Sequence, residues 1–116
     1  MQFKIGNMYA SGRGVKQDDI EAVRWWRKAA DQGLADAQNN LGYMYASGRG
    51  VKQDDIEAVR WLRKAADQGD DLAQTKLGWM YANGRGVKKD LAEAARWYRK
   101  AAAQGNEAAK KNLAQL

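Results

Sequence analysis

The chain of 116 residues contains no cysteine, no histidine and no proline. The absence of cysteine excludes disulfide bonds and thiol redox chemistry. The absence of histidine removes the commonest metal ligand and the usual general base near neutral pH, and the absence of proline removes rigid turns. No apolar run approaches the roughly 20 residues that cross a bilayer, and no signal-peptide pattern opens the chain. These features predict a soluble protein and leave its compartment open.

What the chain does contain is a repeat with a period of 36 residues. Residues 6–33 recur as residues 42–69, and a looser copy spans residues 78–105. A fixed period of this length indicates a stack of helical or mixed supersecondary units. In such a stack the constant positions hold the units together, and the variable positions are free to bind. The first two copies differ at only two positions, Asn7 against Tyr43 and Trp26 against Leu62.

Each copy has the pattern of two helices joined by a glycine-rich turn. In the middle copy Ala37, Leu41 and Met44 recur at helical spacing and predict a first helix, A, over residues 35–46. Gly48 is predicted to end this helix, because glycine readily adopts the left-handed conformation found at helix C-termini. Glycine inside helix A costs about 1 kcal/mol relative to alanine. We therefore predict that another helix approaches closely at the helix A glycines, Gly6, Gly42 and Gly78.

The second helix, B, has one apolar and one charged face. Asp54 is predicted to cap it, and Glu57 three residues later resembles the partner in a capping box. The tryptophans that recur on its apolar face are predicted to pack between units; they are Trp25, Trp61 and Trp97.

These patterns predict an all-α fold, a right-handed α/α superhelix (a solenoid) of antiparallel helical hairpins with about seven helices. We expect a single domain over residues 1–116. It would comprise an N-terminally truncated repeat at 1–34, repeats at 35–70 and 71–106, and a C-terminal capping helix at 107–116.

The repeated residues resemble a known family. The pattern A-x-x-x-L-G-x-x-Y-x-x-G-x-G-V-x-x-D, followed by a tryptophan-containing stretch that ends K-A-A-x-Q-G, is similar to the Sel-1-like repeat, a relative of the tetratricopeptide repeat. In the middle copy it runs from Ala37 to Gly69. The resemblance implies an adaptor or scaffold for protein complexes, often bacterial, cytoplasmic or exported, with some members inhibiting a partner toxin. The near-identity of the first two copies fits either recent duplication or consensus-style engineering.

No enzyme chemistry is indicated. The G-R-G turns lack the preceding strand and the longer glycine pattern of a phosphate loop. Their arginines, Arg13, Arg49 and Arg85, lie one repeat apart and fit either a basic ridge or, with more support, solvated turns. The paired carboxylates, as at Asp54 and Asp55, stand at helix starts, where capping explains them. We therefore expect no catalytic activity, no cofactor, no metal and no small-molecule substrate.

The candidate binding face is the side of helix A that the core does not need. By resemblance, tetratricopeptide-type repeats bind extended peptides on this concave face. Large aromatic side chains such as Tyr43 and Trp79 are enriched at interface hot spots. The predicted protein- or peptide-binding residues are Phe3, Asn7, Asp36, Asn39, Tyr43, Thr75, Lys76, Trp79, Asn83 and Lys111.

Two alternatives stay open at this stage. A structural module could self-associate, as a homodimer or end to end, through uncapped repeat ends. Nucleic-acid binding rests only on the net charge of +6, and the helix A face carries few basic residues.

Overall fold

The computed structural model describes residues 1–116 and consists of seven α-helices without strands. Consecutive helices pack against each other as antiparallel hairpins. The all-α repeat architecture is therefore confirmed, with α1, α3, α5 and α7 as A helices and α2, α4 and α6 as B helices. No helix is long and apolar enough to cross a membrane. In chain order the helices are α1 (Gln2–Ser11), α2 (Asp19–Asp31), α3 (Ala35–Ser47), α4 (Asp55–Asp67), α5 (Asp71–Asn83), α6 (Leu91–Ala103) and α7 (Glu107–Ala114).

Each A helix is tied to its B helix through the backbone of the turn. Gly48 has φ 73° and ends α3, and the Asp54 N–H donates to the Tyr45 carbonyl at 2.9 Å. The Asp54 carboxylate accepts from the Glu57 N–H at 3.1 Å, so aspartate caps α4 as predicted. The predicted capping box is incomplete, because the Asp54 N–H is already bonded to α3 and the Glu57 carboxylate pairs with Arg60 at 3.2 Å.

The hydrophobic core runs between repeats rather than within separate units. Trp61 of α4 packs in one cluster with residues of α2 and α3 and is only 3% exposed. Trp97 of α6 packs in the same way with residues of α4 and α5. The prediction that these tryptophans pack between units is confirmed, whereas Trp25 in the first repeat is only half-buried.

The arginines of the glycine-rich turns connect neighbouring repeats. Arg49 donates to both carboxylate oxygens of Asp19, at 3.2 Å from Nε and 3.1 Å from Nη2. Arg85 binds Asp55 in the same way, at 3.0 and 2.8 Å. Arg49 is exposed, as the solvated-turn interpretation expects, and Arg85 is half-buried. That interpretation is corrected in one respect, because neither arginine is unpaired. They form bidentate ion pairs across the repeat interface, a geometry for which the planar guanidinium is suited.

The second glycine of each turn permits this interface. Gly50 has φ 71°, and a Cβ added there would lie 2.3 Å from the Asp19 carbonyl oxygen. A Cβ at Gly86 would lie 2.3 Å from the Asp55 carbonyl oxygen. At Gly14 the closest approach is 3.3 Å, to the flexible end of a methionine side chain. Repeat stacking therefore requires glycine at positions 50 and 86. At position 14 glycine is favoured only by the left-handed backbone conformation.

Candidate functional site

A row of three cavities follows the A helices. The first, of about 240 Å³, is lined by residues that include Trp26, Tyr43 and Lys76. The second, of about 260 Å³, includes Tyr43, Lys76 and Trp79 in its lining. The third, of about 290 Å³, includes Trp79 and Tyr98. Because neighbouring cavities share lining residues, they form one continuous surface feature, which we call the A-helix groove.

One B-helix side chain from the same repeat position lines each cavity: Trp26, Leu62 and Tyr98. Each of these side chains lies against the glycine of its partner A helix. A Cβ added to Gly42 would lie 2.8 Å from Leu62 Cγ, and one added to Gly78 would lie 2.7 Å from Tyr98 Cε1. The prediction that these glycines mark a close approach of the second helix is confirmed. The missing Cβ gives the B-helix side chain room to reach the groove.

The two positions at which the first two copies differ meet in this groove. The Trp26 indole Nε1 donates to the Asn7 side-chain oxygen at 3.0 Å. Tyr43 and Leu62, the residues at the same positions in the second copy, line one cavity together. The sequence analysis did not include this B-helix position among the binding residues: Trp26 and Leu62 are core residues, 6% and 1% exposed, that also line the groove. The signal was present, because Trp26 against Leu62 is one of only two differences between the copies.

The two aromatic side chains predicted for the binding face are partly exposed. Tyr43 is 43% exposed and Trp79 is 41% exposed. The Lys76 ammonium lies 5.2 Å from the centroid of the Tyr43 ring, and the Arg85 guanidinium lies 5.3 Å from that of Trp79. These cation–π contacts hold the rings in place without burying them.

Lys76 differs from the other cations around the groove because it has no acidic partner. No carboxylate lies within salt-bridge distance of its ammonium group, and the side chain is half-buried. Burial lowers the pKa of Lys76, and only the more distant Asp70 opposes this effect. By contrast, hydrogen bonding to Asp19 raises the pKa of Arg49. Burial also raises the pKa of the Tyr98 hydroxyl, partly offset by Asn112.

Of the ten residues predicted for the binding face, four line the A-helix groove: Tyr43, Lys76, Trp79 and Asn83. Asn7 is exposed beside it and bonded to Trp26. Asp36 and Lys111 are exposed but line none of the three cavities. Phe3 lines a separate cavity of about 400 Å³ near the N-terminus.

The placement of Asn39 on the exposed face is wrong, because this residue is only 3% exposed. Its side-chain oxygen is buried and has no hydrogen-bond partner. Asn39 therefore lies inside the packed structure, whereas Tyr43, one turn later in the same helix, lines the groove.

Two further polar residues of the predicted face bond to their own helix. The Thr75 hydroxyl donates to the Asp71 carbonyl at 2.9 Å. The Asn83 amide donates to the Trp79 carbonyl at 2.9 Å. The single hydroxyl proton of Thr75 is thus occupied, whereas the Asn83 amide keeps a second N–H and its oxygen for a partner. No group of three or more aspartate or glutamate side chains could hold a metal ion.

Comparisons with known proteins were made on sequence and on structure. The family model described as Sel1 repeat matches residues 1–34, 35–70 and 71–106. The Sel1 repeat protein from Oxalobacter formigenes is 50% identical, with a TM-score of 0.90 over 99% of this chain and 86% of that one. No curated protein matches the chain.

Two further solved structures have the same fold. The protective antigen c5321 of uropathogenic Escherichia coli strains, which displays an SLR fold, is 50% identical with a TM-score of 0.90. That match covers 90% of this chain and 22% of the antigen, so the chain spans about a fifth of that protein. Helicobacter pylori cysteine rich protein B is 25% identical, with a TM-score of 0.81 over 96% of this chain and 86% of that one.

The helical hairpins, the glycines at their close approaches and the in-register tryptophans are thus those of one repeat type, matched three times along the chain. The chain belongs to the Sel1 repeat family.

Proposed function

We propose that this protein is a non-catalytic binding module that holds a peptide or protein segment in the A-helix groove. Sel1 repeat proteins are generally scaffolds for protein–protein interaction. Solenoids of this kind present extended surfaces along the stack, and those surfaces bind partners. The A-helix groove is the surface of this chain that best fits that role.

The observation that carries the proposal is the position of the sequence differences. Residues 6–33 and 42–69 are identical except at the two positions that line or adjoin the groove. The residues that stack the repeats, such as Arg49 with Asp19 and Arg85 with Asp55, are kept in register. The differences between two otherwise identical repeats therefore fall at the groove, and the ion pairs between repeats stay the same.

The exposed aromatic side chains support the same proposal. Tyr43 and Trp79 belong to none of the buried core clusters. Their large and partly apolar surfaces are of the kind that dominates binding energy at interfaces. An extended segment rises about 3.3 Å per residue, and neighbouring helices lie roughly 10 Å apart. Such a segment would therefore place about every third residue opposite a successive repeat.

Selection from a random dodecapeptide library displayed on phage tests the proposal. We expect wild-type protein to enrich a peptide family, and the double variant Tyr43→Ala, Trp79→Ala to bind those peptides at least thirtyfold more weakly, as loss of about 2 kcal/mol at a hot spot implies. The matched control is Ile20→Ala, Ile56→Ala, because these isoleucines are also one repeat apart and are 68% and 71% exposed outside the groove. It should bind like the wild type.

Three outcomes would overturn the proposal. The first is the absence of any enriched peptide, and the second is equal binding by the groove variant and the control variant. The third is a groove variant that unfolds, since that would make the two aromatic side chains part of the core. A circular dichroism melt of both variants is therefore measured first.

Self-association is a second candidate, favoured by one observation. The separate cavity near the N-terminus lies beside Met1, which is 94% exposed, and Leu34, which is 43% exposed. At the other end of the stack Leu91 takes the place of the acidic Asp19 and Asp55, so the ion-pair pattern between repeats does not continue there. Association would therefore join two N-terminal ends. Light scattering on wild type and Leu34→Lys decides it: a mass that is monomeric in both would exclude a dimer.

A further inference from the structure

We propose that the A-helix groove recognises a segment that carries a bulky apolar side chain and a nearby carboxylate, with Lys76 as the residue that binds the carboxylate. This inference rests on the proposed function and specifies the chemistry of the partner. Lys76 and the cavity between Tyr43 and Trp79 carry it.

The second cavity fits one apolar side chain. Its volume of about 260 Å³ lies below the roughly 300–1,000 Å³ of pockets that hold small molecules. Besides Tyr43 and Trp79, its lining consists of Ala46, Leu62, Met80 and Lys76. Lys76 is thus the one charged residue in an otherwise apolar and aromatic lining. An aliphatic or aromatic side chain of the partner would fill this space between the two rings.

Lys76 is placed to bind a negative charge on a partner in the groove. It lines both the first and the second cavity. Its ammonium is 5.2 Å from the Tyr43 ring centroid and has no acidic partner. Burying a cation without a partner costs stability, as the lowered pKa of Lys76 also indicates. A carboxylate from a bound segment would supply the missing partner.

The charges around the groove favour an acidic group and no other. No aspartate or glutamate lines any of the three cavities. Arg49 lines the first cavity, but Asp19 already occupies its guanidinium. At the position of Lys76 the other A helices carry Lys4, Asn40 and Asn112, so this position also differs between repeats. Of the two lysines only Lys76 lines a cavity of the groove.

The peptides selected on the wild type provide the test. The displayed library has no free peptide C-terminus, so we expect enrichment of aspartate or glutamate within a few residues of a leucine or aromatic residue. The tightest peptide is then synthesised with its acid intact and with that acid replaced by its amide, each with a free and an amidated C-terminus. Fluorescence anisotropy measures all four against the wild type, Lys76→Met and Lys52→Met. Lys76→Met keeps the apolar stem of the side chain and removes the charge, and Lys52→Met controls for loss of an exposed turn lysine.

We expect Lys76→Met to bind the acidic peptide about tenfold more weakly, as loss of one charge-assisted hydrogen bond implies. The wild type should bind the amide peptide about as weakly as Lys76→Met binds the acidic peptide. The two changes combined should cost no more than either alone, because they remove the same contact. Lys52→Met should bind like the wild type, and the C-terminal amide should make no difference.

Additive losses, or equal binding of the acidic and amide peptides, would overturn the assignment of Lys76. In that case binding that still depends on Tyr43 and Trp79 would leave the proposed function intact. If binding required a free C-terminus, the carboxylate bound by Lys76 would be the terminal one, and the assignment to an aspartate or glutamate side chain would be wrong. Binding that is insensitive to Tyr43 and Trp79 as well would overturn the proposed function itself.

Discussion

Replacing Gly50 by alanine should destabilise the protein more than the same change at Gly14. The two glycines occupy the same position of the turn and have similar left-handed backbones, with φ 71° and 77°. Both variants therefore carry the cost of a left-handed alanine, about 1–2 kcal/mol. Only at Gly50 does the new Cβ meet a neighbouring repeat, 2.3 Å from the Asp19 carbonyl oxygen.

The extra cost at Gly50 follows from that contact. The carbonyl belongs to the first turn of α2 and cannot move without shifting the helix, so the steric cost is that of overpacking, about 1–3 kcal/mol. Gly50→Ala should thus lose about 2–5 kcal/mol in total and Gly14→Ala about 1–2 kcal/mol. In a small domain with roughly 5–15 kcal/mol of stability this difference is large.

Urea denaturation followed by circular dichroism measures the difference. With a slope of about 1–3 kcal/mol per molar urea, the two midpoints should differ by roughly 1 M. Gly86→Ala should behave like Gly50→Ala, because its Cβ would also lie 2.3 Å from a backbone carbonyl of the preceding repeat. Equal losses at Gly14 and Gly50 would refute the reasoning, since the glycine would then serve only the turn conformation.

Two other predictions concern packing and the ion pairs. Gly78→Leu should lower the melting temperature despite the better helix propensity of leucine, because even its Cβ would lie 2.7 Å from a buried tyrosine ring; a melt at or above the wild type would contradict this. Arg85→Ala should cost about 1 kcal/mol through loss of the bidentate pair with Asp55, and Arg13→Ala should be nearly neutral. Equal midpoints for the two arginine variants in urea would show that the pair contributes nothing.

Much of the fold follows from the sequence because the repeat displays each local signal three times. The glycines at 42 and 78 indicate a close helix approach, and the tryptophans at 61 and 97 indicate packing between units. Both conclusions depend on residue type and on recurrence at the same place in successive copies. The number and order of helices follow for the same reason.

The contacts between repeats could not be predicted in this way. Arg49 and Asp19 are 30 residues apart, and nothing in one hairpin shows that the turn of one repeat meets the start of the preceding B helix. The burial of Asn39 also escapes periodicity within one helix, which places this residue on the exposed side although it is only 3% exposed. The capping box also failed for a tertiary reason, because the Asp54 N–H is bonded to Tyr45 of the preceding helix.

The candidate site was only partly predictable. Helical periodicity identified the exposed side of the A helices, and hence Tyr43 and Trp79. The same periodicity places the apolar face of helix B in the core, and Trp26, Leu62 and Tyr98 do lie there. Each of these side chains also reaches the groove because it packs over the glycine of its partner A helix. That contact depends on how two helices are positioned relative to each other, which the spacing within one helix does not show.

The claim that a partner occupies the A-helix groove is tested most directly by nuclear magnetic resonance of the tryptophan indole N–H groups. Trp79 lines two of the groove cavities, whereas Trp61 and Trp97 are buried between repeats and their indole nitrogens have no hydrogen-bond partner. Titration of ¹⁵N-labelled protein with a selected peptide should shift the Trp79 indole resonance and leave those of Trp61 and Trp97 in place. Shifts at Trp61 and Trp97 with an unmoved Trp79 would place binding on the B-helix side and contradict the account.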